Sequence, residues 1–158
     1  MLREQLAGDL KLAMKSKDTC CVSTLRLILA ALKDRDIAAR GQGGNDHSGR
    51  GTDDGSIQEM LAKMVKQRRE SISAYESGGR IDLAEREAAE IVIIENYLPR
   101  QLDENEIANA VQSMIEKLGS NCIKDMGRTM AALKTAYSGQ MDFSKASNLV
   151  KKYLARAR

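Results

Sequence analysis

Apolar residues return every three or four positions through most of the 158-residue chain, and nowhere do they alternate with polar ones. That period places them along one face of a helix, since a turn takes about 3.6 residues, whereas a half-buried strand repeats every second residue. Leu2, Leu6, Leu10 and Ala13 with Met14 predict a first helix. Val22, Leu25, Leu29 and Leu32 predict a second, with Arg26 and Lys33 on its flank and Asp18 or Thr19 as its cap. The short gap between them implies an antiparallel pair. Ile57, Met60, Leu61, Met64, Ile72 and Tyr75 mark the inner side of a long third helix. Thr52, Asp53 or Ser56 starts it, and Gly78 or Gly79 ends it in a left-handed cap. Asp82 and Glu85 have capping-box spacing, with aspartate in the hydroxyl role. The helix they open carries Ala88 and the aliphatic run Ile91, Val92, Ile93 and Ile94 towards Leu98. Four aliphatics in succession predict a turn covered on all sides. Pro99, the only proline, is expected to close it.

Beyond the proline, Asp103 and Glu106 repeat the cap spacing, and Ile107, Val111, Met114, Ile115 and Leu118 form a stripe ending near Gly119. A short helix around Met126, Met130 and Leu133, a turn at Ser138 and Gly139, and a last helix with Phe143, Ala146, Val150 and Leu154 complete the pattern. The expected fold is all-α: about four helices in an N-terminal domain, 1–98, and about three in a compact C-terminal domain, 99–158. Residues 40–55 interrupt the first part. They hold six glycines and no aliphatic residue, so burial cannot offset their ordering entropy, and a mobile loop is expected.

Composition narrows the function classes. Hydrophobic residues make up 42% and charged residues 30%, ordinary for a globular protein. No apolar run approaches membrane-spanning length, and no secretory start is visible, so a cytoplasmic protein without membrane attachment is expected. The net charge of +3 is small but uneven. The first 96 residues carry 15 basic and 16 acidic groups, the remainder 10 and 6. From Lys145 onwards, with Lys151 and Lys152, there are five basic residues and no acid. Such an end attracts polyanions or simply keeps the protein soluble. Cys20, Cys21 and Cys122 are expected as reduced, buried, small apolar side chains.

Catalytic chemistry finds no foothold in the residue spacing. His47, the sole histidine, sits in the glycine-rich segment away from any ligand cluster, and is expected to face solvent. The glycines lack the Gly-Lys-Ser/Thr ending of a phosphate loop, and no serine lies on a nucleophile elbow. The expectation is therefore no catalytic residue, no metal and no cofactor. Glu87 and Glu90 share a helical face and are expected to pair with an arginine. Arg68 lies at the edge of the third helix's apolar stripe and suits that role, whereas Lys63 and Lys66 project into water.

Three blocks carry a resemblance. "VKQRRESISAYESGGRIDLAEREAAEIVIIENYLPRQL" from Val65 to Leu102 resembles the signature of the YqeY family, also called GatB/YqeY domain-containing proteins. "STLRLILAALKDRDI" and "IKDMGRTMAALK" match its other recurring blocks. The resemblance implies two helical parts, the second similar to the tail of the B subunit of tRNA-dependent amidotransferases. The tail-like motif here is Lys124, Asp125, Met126, Gly127 and Arg128, followed by Met130; the long block supplies Gln67, Arg68, Arg69, Arg80, Asp82, Glu87, Glu90, Tyr97, Leu98, Pro99 and Gln101. The implied role is an accessory module that touches tRNA, an amidotransferase subunit, or both, through Lys124, Asp125, Gly127, Arg128, Lys66, Arg69, Arg80, Lys151 and Lys152. Two alternatives stand beside it: a component with carbon–nitrogen ligase activity using glutamine as amido-N-donor, and a scaffolding protein without RNA contact. Gly127 within a helix costs about 1 kcal/mol relative to alanine, which suggests close backbone approach or a binding contact.

Overall fold

The computed structural model describes residues 1–41 and 52–156. It is all-α, with an N-terminal bundle of four helices and a C-terminal domain of three. The helices are α1 (Leu2–Ser16), α2 (Thr19–Gly41), α3 (Asp54–Ser77), α4 (Ile81–Glu95), α5 (Glu104–Leu118), α6 (Met126–Ala136) and α7 (Phe143–Arg156). A 3-10 turn, Ile123–Asp125, leads into α6. The chain divides into two compact units, Met1–Leu98 and Pro99–Arg158.

In the first unit, α1 stops at Lys17, whose φ of 59° lies in the left-handed region. Asp18 then donates its N–H to Ala13 O at 3.1 Å while its carboxylate accepts from Cys21 N at 3.0 Å. One residue thus closes α1 and caps α2, so the two helices fold back on each other within a two-residue link. Leu6, Leu25, Ile28, Leu32, Ile57, Leu61 and Ile94 are fully buried in a common core. Asp53 caps α3 through Ser56, and Gly79 (φ 73°) takes the left-handed position after it.

Several expectations are corrected. Arg40 and Gly41 continue α2, and Asp54 and Gly55 open α3. Of the rest of the predicted loop, 42–51 with His47 lies outside the described residues, and Thr52 and Asp53 lead into α3. Asp82 does not cap α4: the helix begins one residue earlier, and Arg80 at the cap position makes no side-chain cap bond. Nor is the aliphatic turn covered on all sides. Ile91 and Ile94 point inward, but Val92 is 62% exposed, and Ala84 rather than Ala88 is buried. Adjacent helical residues diverge by about 100°, which puts Val92 outside once its neighbours face α3. The helix ends at Glu95, three residues short of Leu98, and Tyr97 and Leu98 continue as hydrogen-bonded turns. Met14 is exposed rather than inward. Cys20 and Cys122 are exposed and Cys21 half-buried, so the thiols are not core side chains.

The second unit has its own core of Ile107, Ala110, Val111, Leu133, Met141, Ala146, Val150 and Leu154. Asp103 and Glu106 form a complete capping box, with Asp103 accepting from Glu106 N at 2.8 Å and Glu106 accepting from Asp103 N at 2.9 Å. Gly119 (φ 60°) ends α5.

Candidate functional site

The tail-like motif occupies the 3-10 turn and the first turn of α6. Asp125 organises it. Its carboxylate accepts from Asn121 N at 3.0 Å and Cys122 N at 3.3 Å. The Asn121 N–H foremost holds that carboxyl below the usual aspartate range, with Cys122 and Arg128 adding to it. One residue further in, Thr129 donates to Asp125 O at 3.0 Å and shares a 2.9 Å hydroxyl contact with buried Ser120. The turn is therefore pinned from both sides, and the Asp125 carboxylate faces its own backbone.

Around this turn the cations differ. Lys124 is exposed on the 3-10 turn, and no ion pair involves it among the described residues. Arg128 folds back, with Nη2 at 3.3 Å from both Leu118 O and the Asp125 carboxylate. The two do not project as an equivalent pair. Gly127 is exposed, and a Cβ built on it meets no heavy atom within 4 Å. Close backbone approach within this chain is thus not why glycine stands there. Lys151 and Lys152 are exposed on α7, opposite the buried Ala146, Val150 and Leu154 face, and α7 packs against the 3-10 turn.

In the first unit the basic run divides. Arg68 is only 12% exposed in its side chain; its Nε and Nη2 both lie 2.9 Å from Glu90 Oε2, with Glu87 4.0 Å away. Its Nη1 also donates to Met64 O at 3.3 Å. Arg69 holds Glu95 at 2.8 Å, and Arg80 holds Asp82 through two bonds of 3.1 and 3.0 Å. Lys66 is half-buried and Lys63 exposed. Both arginines named as binding candidates in this unit are thus already opposite carboxylates.

Three polar contacts escaped sequence reasoning because each joins distant residues. Asp36 accepts two bonds from Arg3 (2.8 and 2.9 Å) and two from Thr52 (2.7 and 3.0 Å), and the Arg3 bond foremost pushes its carboxyl well below the ordinary range. Tyr97 donates to Asp9 at 2.7 Å; burial, then that bond, raises the phenol. Gln101 donates to the carbonyls of Pro99 and Gly139, holding the start of the second unit to the turn before α7. Tyr97 and Gln101 were visible as members of the long quoted block. Asp9 and Asp36 gave no local signal.

An open groove of about 580 Å³ lies between α2 and α4, lined by Thr19, Cys20 and Ser23 on one side and by Asp82, Glu85 and Arg86 on the other. Ser23 donates to Cys20 O, and Asp82 is held by Arg80. Among the described residues, no three His, Cys, Asp or Glu side chains come together in a metal-holding group.

Fold and site together define a two-unit helical protein whose described polar side chains chiefly pin turns and cross-link helices. The chain belongs to the Yqey-like protein family, whose sequence pattern matches residues 3–154. It is similar to Altered inheritance of mitochondria protein 41, mitochondrial, of Lachancea thermotolerans: 30% identity over 82% of this chain and 62% of the relative. The protein of that name from Kluyveromyces lactis is 34% identical over 70% of this chain and 57% of its own length. The one from Saccharomyces cerevisiae strain YJM789 is 33% identical over 59% and 46%. The matches therefore span about half to three fifths of these relatives. Their names correct the cytoplasmic expectation, for they are mitochondrial proteins. The absence of long apolar runs says nothing about that compartment. Among the described residues, no helix is long and apolar enough to cross a membrane.

Proposed function

We propose that this protein is an accessory module of tRNA-dependent amidotransfer, acting by contact of its C-terminal unit with tRNA phosphates rather than by bond chemistry of its own. The observation that carries the reading is the turn at the start of α6. Asp125 fixes its backbone, Gly127 is exposed with open space where a Cβ would stand, and Lys124 lies in solvent on the same turn. An exposed turn with an ammonium group in solvent suits an anionic oxygen, which the positive charge attracts. Lys151 and Lys152 add charge on α7, and family membership supports the same assignment.

Titration of the full chain with tRNA over a range of salt concentrations tests this. Affinity is expected to fall as salt rises, because each neutralised phosphate releases counterions. Replacing Lys124 and Arg128 together by alanine should lower the log–log salt slope by up to about two and leave the helical circular dichroism unchanged. Absent or salt-insensitive binding would overturn the proposal. Glutamine hydrolysis by the isolated chain, abolished by one substitution, would replace it with the ligase alternative.

A further inference from the structure

The outward face of α2 repeats with the period of a helix-pairing seam. Leu27, Ala30, Asp34 and Ile37 are exposed at spacings of three, four and three, and the two large aliphatics are 51% and 57% exposed. One position before Leu27, Asp34 and Gly41 stand Arg26, Lys33 and Arg40, all exposed. Seven residues of helix rise about 10.5 Å, so these cations form a column flanking the apolar line. Among the described residues none of the three has an ion pair, whereas Arg3, Arg68, Arg69 and Arg80 of the same unit each hold a carboxylate. Positive charge repeating every seven residues, without a carboxylate among the described residues, beside two exposed aliphatics is a recognition pattern, because flanking charges select the partner helix.

We propose that this face of α2 docks an amphipathic helix of another protein, with an apolar seam and an acidic flank. A second copy of this chain does not fit. In antiparallel pairing the cation column would face itself. In parallel pairing it would face Ala31 and Ala38, which offer no carboxylate. A nucleic-acid backbone would engage the cations but leave Leu27 and Ile37 unused. Asp34 interrupts the apolar line, and a cationic or amide side chain opposite it would set the register. This surface lies in the first unit and is independent of the function proposed for the second.

The probe is a synthetic four-heptad helix with leucine and isoleucine in the seam, one lysine placed to meet Asp34, and glutamate at both flanks. A second peptide carries lysine at the flanks instead. Fluorescence anisotropy with the full chain should show the glutamate peptide binding roughly tenfold more tightly or better, the sum of three flank pairs. The triple change R26E/K33E/R40E should reverse the preference with helical content unchanged, and L27A/I37A should weaken the glutamate peptide by roughly tenfold. The change K124A/R128A should leave both titrations as they were. No binding, or equal binding of the two peptides, overturns the proposal. So does loss of duplex RNA binding in the triple variant with L27A/I37A silent, which would make this a polyanion surface. A dimer in sedimentation that R26E/K33E/R40E disperses would make it a self-contact.

Discussion

Arg68 and Lys63 lie five positions apart on one helix and carry the same charge, yet their surroundings oppose each other. The Arg68 guanidinium is largely covered, bonded to Glu90 and to the Met64 carbonyl, while Lys63 stands in water. Removing one member of a covered ion pair leaves the other charge uncompensated, which costs more than the pair itself contributes. We expect Arg68→Ala to destabilise the first unit by about 2–4 kcal/mol and Lys63→Ala by less than about 0.5 kcal/mol, read as shifts of the denaturant midpoint. Equal shifts would mean that Arg68 is solvated. The position of Arg68 beside the stripe of Leu61, Met64 and Ile72, together with the Glu87 and Glu90 spacing, makes such a contact legible in the chain. Which glutamate it takes is not, because the two lie within one helical turn and only the packing of α3 on α4 separates 2.9 Å from 4.0 Å.

At the scale of elements, two aspartates show how far local spacing reaches. Asp82 and Asp103 are each followed three residues later by glutamate, the same signature for a helix start. Asp103 forms the complete box. Asp82 sits inside the first turn of α4, because the Schellman-like closure of α3, with Arg80 N bonded to Tyr75 O at 2.8 Å, brings the chain into the next helix early. Asp82 then bonds Arg80 instead. Asp103→Ala should cost about 1 kcal/mol in the second unit, and Asp82→Ala, losing only an exposed pair, should cost less in the first. Chemical denaturation of the two variants measures the contrast, and equal costs would remove it. The apolar periods located the seven helices of the described residues. They failed at Val92 and Met14, where a hydrophobic residue meets no neighbour, since composition reports what a side chain prefers and not what remains to cover it.

For the molecule as a whole, helices are joined by contacts with no sequence periodicity. Asp36 ties α1 through Arg3 to α2 and to Thr52, just ahead of α3. Its carboxyl is depressed in the folded state, so its stabilisation is complete above the unfolded value of about 3.9 and is lost as pH falls through the folded one. Asp36→Asn should therefore be less stable than the parent by about 1–2 kcal/mol near neutrality. The gap should close as pH drops below about 4. Urea titrations at several pH values check this, and a gap that widens in acid would show that the Arg3 contact does not form.

What the amino-acid order determined by itself is whatever depends on near neighbours. The helical class, the Asp103 box and a left-handed glycine within the Gly78–Gly79 pair all follow from spacing and backbone sterics within a few residues. The tertiary structure alone decided which cations are neutralised. Arg68 and Arg69 found Glu90 and Glu95 on the next helix, while among the described residues Arg26, Lys33 and Arg40 found no carboxylate. It also decided that Gly127 faces open space. Charge compensation and close approach are distances between segments far apart in the chain, and only the packing of helices sets them.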